Sequence, residues 1–431
     1  MKNLLKKTIN KLFSTGFFHI FGSNVINKIL GFVSSVFIVR LVSKYNYGLY
    51  TSALNIFSFF MILSTMGMIS GVLQLCSENA RNLEKNYQIY NYGARIGILF
   101  NFFLGIVIFL SSIIFEFPIK GSEKILMLLS FIPVFEGTIE FQKTYFRSRL
   151  ENQLFSYANT LNTFFVVLCS VLGAFIYEVN GLIIGRYLAA FISIFIIKNN
   201  LNAPLSLKHT CLEKEDKDSL WKISLISMLN GGLSQILYLV DIFLIGLLVK
   251  DASSVADYKI AIIIPTALEF IPSSICIYIY PYFSLNKDKK EWVEKYYRIT
   301  MILVGCLNLF ISVFLVIFAP FIIKIIFGEQ YMSSLSMFRI SAISYFFLGT
   351  FRTISGNLLV TQRRLKFNLI LSIITGILNL ISNFFLIKSM GAEGAAWTTL
   401  FISCMSGCIL TGYMIHIINN LGSKENKDSF V

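Results

Sequence analysis

Long apolar stretches recur roughly every 30 to 35 residues along this chain, and no other feature of the sequence restricts its fold as strongly. Most of them are long enough to cross a hydrocarbon core of about 30 Å as a helix. They lack the apolar–polar alternation that marks the strands of a membrane barrel. A mean hydropathy of +0.70 and a charged fraction of only 14% agree with this pattern. We therefore predict an all-α polytopic membrane protein.

The apolar stretches predict about twelve transmembrane helices. Residues 1–12, which are basic and apolar, precede them and are typical of an amphipathic helix on the cytoplasmic surface. The twelve predicted helices lie near 13–40, 48–75, 92–115, 124–144, 154–177, 181–198, 222–249, 255–282, 296–319, 334–358, 367–388 and 394–416. The first begins like a signal peptide but has no evident small-residue cleavage site, so we expect it to be retained.

The distribution of basic residues predicts the orientation of the chain. With the N-terminus inside, 25 of the 37 Lys and Arg residues fall in cytoplasmic segments, and 8 lie at the opposite ends of the helices. Cytoplasmic loops of membrane proteins collect Lys and Arg, so both termini are expected in the cytoplasm. The net charge of +14 then follows from topology, and we expect no nucleic acid partner.

The two halves of the chain resemble each other. Asn24 precedes Asn230 by 206 positions, and Phe37 precedes Phe243 by the same number. Six crossings return the chain to its starting side, so both halves would enter the membrane from the same face, like the parallel repeats of alternating-access transporters. The predicted parts are a cytoplasmic N-terminus (1–12), an N-lobe (13–198), a cytoplasmic linker (199–221), a C-lobe (222–416) and a cytoplasmic tail (417–431).

Charged residues inside the predicted helices are the candidates for a functional site. A charge near the middle of a bilayer is costly, so such residues usually face a cavity or a partner of opposite charge. The candidates are Lys28, Glu136, Arg186, Asp241, Glu269 and Arg352, together with the polar Asn24 near Lys28 and its repeat equivalent Asn230. An ion pair that only orients helices is the competing interpretation for each charge, and the sequence leaves the pairing of cations with carboxylates open.

Motifs for catalysis or metal binding are missing from the sequence. It contains no Gly-rich phosphate loop, no HExxH and no Gly-x-Ser-x-Gly. Its 7 cysteines show no CxxC or Cys/His spacing, so neither a metal site nor a disulfide framework is predicted. All loops predicted on the side opposite the cytoplasm are short. We therefore expect a transporter rather than an enzyme.

Several strings in the chain resemble a known family. Val39–Tyr50 resembles the first outer loop of the Wzx-type O-antigen flippases, the polysaccharide-exporter branch of the MOP superfamily. Asp241–Gly246 is similar to that family's seventh helix, Phe327–Tyr331 to its loop before the tenth, and Met390–Trp397 to part of its closing helix pair. The resemblance covers nearly the whole chain through loose, glycine-marked strings. It implies a MATE/MOP-like fold of two six-helix lobes.

The resemblance implies a flippase in a bacterial inner membrane. It would move undecaprenyl-diphosphate-linked oligosaccharide repeat units from the cytoplasmic to the periplasmic leaflet by alternating access. The residues expected to contact this anionic substrate are Lys28, Arg186, Arg352, Asn24 and Asn230. Those expected to balance charge or bind a coupling proton or sodium ion are Asp241, Glu269 and Glu136. Membrane lipids, a polysaccharide polymerase and a chain-length regulator are the other partners implied.

A MATE-like multidrug or cation antiporter is the alternative. Multidrug exporters of the same superfamily also have twelve helices, whereas its lipid II flippases usually carry fourteen. The strings Tyr47–Tyr50 and Gly391–Ala396 favour the polysaccharide branch. Surface glycan and drug susceptibility would distinguish the two functions.

Overall fold

The computed structural model describes residues 17–79, 82–204 and 212–421, and every regular element in these ranges is a helix. The chain forms two compact units, which we call unit 1 (Met1–Leu239) and unit 2 (Val240–Val431). Unit 1 contains α1 Phe17–Leu41, α2 Lys44–Met61, α3 Met68–Glu78, α4 Leu83–Ile114, α5 Ser122–Leu129, α6 Ile132–Ser148 and α7 Asn152–Leu201. Helix α8 (Lys214–Val249) crosses the boundary. Unit 2 contains α9 Ala252–Leu268, α10 Phe270–Leu285, α11 Lys290–Ile322, α12 Leu335–Phe347, α13 Thr353–Thr361, α14 Leu365–Met390 and α15 Ala392–Asn420.

Eight helical segments in the described part of the chain are long and apolar enough to cross a membrane. A ninth results if α5 and α6, which meet at a bend of 41°, count as one broken span. The prediction of an all-α, multi-spanning membrane protein is therefore confirmed. The count of twelve, the two six-helix lobes and the location of both termini stay predictions. The predicted helix at 1–12 lies outside the described residues.

Helix α7 is a hairpin of two antiparallel legs. Its backbone leaves helical geometry at Tyr177 and Glu178, and Glu178 has a φ of 43°. A side chain on Gly185 would overlap the carbonyl of Cys169, although sixteen residues of straight helix would separate the two by about 24 Å. The chain must therefore reverse at this turn. Glycine at the contact lets the two legs approach at backbone distance.

One buried amide stabilises the break between α2 and α3. Thr65 and Met66, in the 3-10 turn Ser64–Gly67, have positive φ angles of 52° and 50°. Asn101 of α4 is fully buried, and its Oδ1 accepts a hydrogen bond from Thr65 N at 2.6 Å. Its Nδ2 donates to Pro133 O at 2.7 Å, at the start of α6. Asn101 thus holds the break against two other segments, and Ser64 in the same turn lines the cavity described below.

Helix α8 belongs to both units. Its first half packs in unit 1, where Leu220 and Ser224 are fully buried. A side chain on Gly71 of α3 would overlap both of them, so the two helices are in close contact there. The segment from Val240 onward belongs to unit 2. The boundary between the units therefore lies inside a helix, and the predicted lobes and linker stay predictions.

Two irregular segments in unit 2 carry predicted site residues. Helix α9 ends at Leu268 and α10 begins at Phe270, so Glu269 lies at the break between them. Between α12 and α13 the chain forms a π-helical turn, Leu348–Arg352, which ends with Arg352. A π turn widens a helix locally and is frequent at functional sites. Both predicted charges therefore lie where regular helical geometry is interrupted.

Candidate functional site

Unit 1 contains a polar cavity of about 320 Å³, which we call the Arg186 cavity. Helices α6 and α7 supply its charged residues, Glu136, Glu140 and Arg186. Arg186 Nη2 lies 2.7 Å from Glu136 Oε1, and the two side chains are 20% and 38% exposed. Arg186 Nη1 also donates to the hydroxyl of the buried Tyr50 at 3.5 Å. The guanidinium is thus compensated by one carboxylate while remaining accessible from the cavity.

Aromatic rings and a second ion pair lie beside this first pair. Phe135 packs edge-on against Tyr187, with ring centroids 5.5 Å apart, and both rings line the Arg186 cavity. Glu140 forms an ion pair with Lys143 on the next turn of α6. The ammonium group of Lys143 also donates to Asn159 Oδ1 at 3.1 Å. The cavity therefore combines charged groups with exposed aromatic surface.

One acceptor in the Arg186 cavity lacks a hydrogen-bond donor. Asn162 of α7 lines the cavity, and its Oδ1 is buried without a partner among the described residues. Leaving a buried polar atom unsatisfied costs about 1–3 kcal/mol. The site would therefore gain from a molecule that brings a donor, such as water or a ligand hydroxyl.

Unit 2 holds Asp241 in a network of neutral donors. Asp241 Oδ2 accepts hydrogen bonds from Tyr258 OH at 2.9 Å and from Thr399 Oγ1 at 3.2 Å. Its Oδ1 accepts from Asn383 Nδ2 at 2.7 Å, and the same Nδ2 donates to Asn379 Oδ1 at 3.1 Å. We call these five residues the Asp241 cluster. They come from α8, α9, α14 and α15, so four helices meet at this carboxylate.

The oxygen atoms of the Asp241 cluster suit a hard monovalent cation. Within the described ranges, no Lys or Arg forms an ion pair with Asp241. Asn383 is fully buried, and its Oδ1 has no hydrogen-bond partner there. One carboxylate, two amide oxygens and two hydroxyls therefore gather without a cationic side chain. Such all-oxygen sets bind hard cations, and the carboxylate can alternatively take up a proton.

Glu269 and Arg352 lie close enough in unit 2 to interact electrostatically. Arg352 also lines a small cavity of about 160 Å³ together with Asn368 and Ser406. Asn368 Nδ2 donates to Gly356 O at 2.8 Å, while its Oδ1 is buried without a partner in the described part of the chain. The cavity beside Arg352 is therefore polar, and one residue of its lining, Asn368, has a buried acceptor without a hydrogen-bond donor among the described residues.

The remaining predicted residues lie outside these clusters. Lys28 and Asn24 are on exposed positions of α1, and Asn230 is on an exposed position of α8. None of the three lines the Arg186 cavity. Their contact with a substrate stays a prediction, as do the roles of the residues in the clusters.

Sequence analysis did not select the uncharged partners of Asp241. Asn379 and Asn383 carried a usable signal, because two amides one helical turn apart are costly in an apolar helix unless they share a site. Tyr258 and Thr399 carried none, since single hydroxyl residues are common in membrane helices and can bond to their own backbone. Thr399 does so as well, donating to Ala395 O at 3.0 Å.

The fold is similar to those of several solved transporters. One is an inward-facing multidrug resistance MATE family transporter of the MOP superfamily, with a TM-score of 0.70 and 12% identity over 92% of this chain and 96% of that chain. Another is the lipid II flippase MurJ in an inward closed conformation, with a TM-score of 0.72 and 14% identity over 93% and 89%. A MOP superfamily transporter from Pyrococcus furiosus gives 0.54 and 13% over 94% of each chain.

At these identities the similarity shows the fold alone, which is that of MOP transporters. No curated protein matches the sequence. A family model described as "Polysaccharide biosynthesis protein" matches residues 37–336, more than half of the chain. The chain therefore belongs to this polysaccharide biosynthesis protein family.

Proposed function

We propose that this protein is a flippase for undecaprenyl-diphosphate-linked oligosaccharide repeat units, which it moves from the cytoplasmic to the periplasmic leaflet of a bacterial inner membrane. The glycan would be a precursor of O-antigen or of a related surface polysaccharide. The observation that carries the proposal is membership of a polysaccharide biosynthesis family by a chain with a transporter fold. Biosynthesis of a surface glycan requires a polar unit to cross about 30 Å of hydrocarbon, and a transporter meets that need.

The Arg186 cavity suits the polar head of such a substrate. Sugar hydroxyls can donate to Asn162 Oδ1, which lacks a donor in the described chain. Arg186 can donate to diphosphate oxygens, for which a guanidinium has suitable geometry. Its ion pair with Glu136 would then be exchanged for one with the substrate. In unit 2, Arg352 would offer a second cation, with Glu269 balancing its charge in the empty state.

The Asp241 cluster is our candidate site for a coupling proton or sodium ion. A bound cation would neutralise the carboxylate and would give Asn383 Oδ1 a partner. Either ion would rearrange the hydrogen bonds that join α8 to α9, α14 and α15. Ion occupancy would thereby favour one packing of these helices over another, which is the requirement for coupling.

The decisive experiment uses a strain that lacks this protein. Surface polysaccharide and undecaprenyl-diphosphate-linked oligosaccharide are quantified, and the membrane face on which the oligosaccharide lies is determined by its access to an impermeant sugar-modifying reagent. We expect loss of surface glycan and repeat units trapped on the cytoplasmic face. Units stranded on the periplasmic face would point to a polymerisation step instead.

A multidrug or cation antiporter is the second candidate, and the fold similarity to a MATE family transporter favours it. In that case the deletion strain would keep normal surface glycan and would change its drug susceptibility. Normal glycan would reject the flippase proposal.

A further inference from the structure

Unit 2 contains an apolar groove that none of the proposed roles uses. It has a volume of about 560 Å³ and lies between α11, the π turn Leu348–Arg352 with the residues just before it, and α15. One face of α11 lines its whole length, from Glu294 at one end to Leu309 at the other. Phe346 and Ile415 form part of the opposite walls. We call it the α11 groove.

The floor of the groove forms where α11 lies close to the π turn. Gly305 of α11 has no side chain, and a Cβ added there would lie 3.3 Å from Thr350 Cγ2 in the π turn. The π turn also divides its side chains between two sides, because Thr350 and Phe351 line the groove whereas Arg352 lines the small polar cavity. The groove is therefore walled off from that cavity by the π turn.

The length of the groove matches one leaflet of a bilayer. The sixteen residues from Glu294 to Leu309 span about 22 Å of helix, which is half the 40–45 Å thickness of a bilayer with its head groups. Most of the side chains along it are apolar, among them Met301, Ile302 and Leu309, so a hydrocarbon chain suits this surface.

The polar end of the groove carries a cation that is available to a phosphate. Arg298 is exposed and forms no hydrogen bond or ion pair within the described ranges. Glu294, one turn nearer the start of α11, also lines the groove. Lys290, at the first position of α11, donates to the carbonyl of Asn419 at 2.9 Å. Arg298 lies farther along α11 than Glu294 and is therefore closer to the apolar part of the groove. The phosphate of a lipid whose chain fills that part would reach Arg298 before it reached Glu294.

We propose that the α11 groove binds the polyprenyl chain of the lipid-linked substrate in the leaflet from which transport starts, with Arg298 at the phosphate. This inference rests on the proposed function for the identity of the lipid. A polyprenyl phosphate carries one apolar chain next to an anionic phosphate, which matches an apolar groove with Arg298 near its polar end. The groove would hold the tail and the phosphate next to it, so that the lipid is recognised separately from the sugars.

The test measures binding of undecaprenyl phosphate to the purified full-length protein by native mass spectrometry, with phosphatidylethanolamine as competitor. Cys306 lines the groove and is exposed, so Cys306→Trp fills it. Leu303 lies on the same helix, is 65% exposed and does not line the groove, so Leu303→Trp is the matched control. We expect Cys306→Trp to weaken binding more than tenfold and Leu303→Trp to leave it unchanged. Arg298→Ala should weaken it about tenfold, the effect of one lost charge-assisted hydrogen bond.

Ile415→Trp fills the groove from α15 and gives a second variant should Cys306→Trp fail to fold. Unchanged binding in a folded groove-filled variant would overturn the proposal. Equal competition by phosphatidylethanolamine, abolished by the same substitutions, would also overturn it in favour of a general lipid site. The purified protein answers this question separately from the deletion strain. Groove binding with normally distributed repeat units in that strain would refute transport and leave the groove as a polyprenyl phosphate site.

Discussion

Among single residues, Asp241 has the most to gain from a bound ion. Its carboxylate lies in the short apolar segment Leu239–Val249 and accepts hydrogen bonds from the neutral groups of Tyr258, Asn383 and Thr399. Neutral hydrogen bonds offset part of the cost of a charge in an apolar environment, but they leave the charge itself in place. A cation or a proton would remove it. The same reasoning does not apply to Arg186, which already has Glu136 at 2.7 Å.

We predict that sodium stabilises the wild-type protein and that this effect depends on the Asp241 cluster. Replacing choline chloride by NaCl should raise the Tm, because a ligand that binds only the folded state stabilises it. Asp241→Asn and Thr399→Val should abolish the increase. Thr398 is the matched control, since its hydroxyl donates to Gly394 O at 2.9 Å and not to Asp241. A sodium effect that survives in Asp241→Asn would refute the site, and a response to pH alone would assign it to a proton.

The ion pair between Arg186 and Glu136 should show measurable coupling. In a double-mutant cycle of Arg186→Met and Glu136→Gln, each single substitution leaves a charge without its partner in a half-buried site. We therefore expect a coupling free energy of about 0.5–3 kcal/mol in thermal or denaturant unfolding. The pair Lys324–Glu329, with side chains 62% and 74% exposed, is the control and should give a smaller coupling, because solvent screens exposed charges. Equal coupling in the two cycles would contradict a special environment at Arg186.

The sequence identified the charges of these clusters but not their pairing. A charge in an apolar helix stands out because its cost is large and local. Which carboxylate pairs with Arg186 depends on how α6 crosses α7. That crossing cannot be predicted from a single sequence. Asn162 illustrates the limit, because an amide becomes informative only when the fold buries its oxygen without a donor.

At the scale of helices, two backbones approach most closely where glycine has no side chain. Gly173 and Gly181 face each other across the α7 hairpin, and a side chain on either would overlap the carbonyl of the other. The sequence predicted two helices here, near 154–177 and 181–198, and the turn at Tyr177–Glu178 falls between them. It did not reveal the break held by Asn101, because nothing local to Thr65 requires a positive φ angle. That break is imposed by a side chain from another helix.

Gly181→Ala should destabilise the α7 hairpin. The added methyl group would enter space occupied by Gly173 O, and such overpacking costs about 1–3 kcal/mol. Gly31→Ala on α1 is the matched control, because nothing lies within 4 Å of the added Cβ. That substitution should be neutral or stabilise by up to about 1 kcal/mol. Tm measurements on both purified variants test the comparison, and equal Tm values would contradict the close contact.

For the molecule as a whole, the apolar stretches predicted the membrane-spanning helical fold because each must satisfy its own backbone in lipid. No local signal in the sequence predicts where the two compact units meet. Helix α8 begins at Lys214 and stays with unit 1 until Leu239. Burial of Leu220 and Ser224 decides this, and burial is a property of the folded chain.

Gly231 lies in α8 shortly before the unit boundary, and nothing lies within 4 Å of a Cβ built there. Close packing therefore does not explain this glycine. We predict that Gly231→Ala stiffens α8, stabilises the protein by about 0.5–1 kcal/mol and slows transport that needs α8 to bend. Gly232→Ala is not a substitute, because its Cβ would contact Ile62. Increased stability with an unchanged transport rate would exclude bending at Gly231.

The sharing of α8 between the two units also limits how this protein can be recombined with its relatives. A chimera joined in the polar stretch at 205–211 would give unit 1 a foreign Leu220 and Ser224, and with them a foreign surface against Gly71. Recombinants that inherit α3 and the first half of α8 from the same parent would keep this contact intact. Gene exchange among such transporters should therefore leave its surviving junctions after Ser224, within the helix, rather than before α8 begins at Lys214.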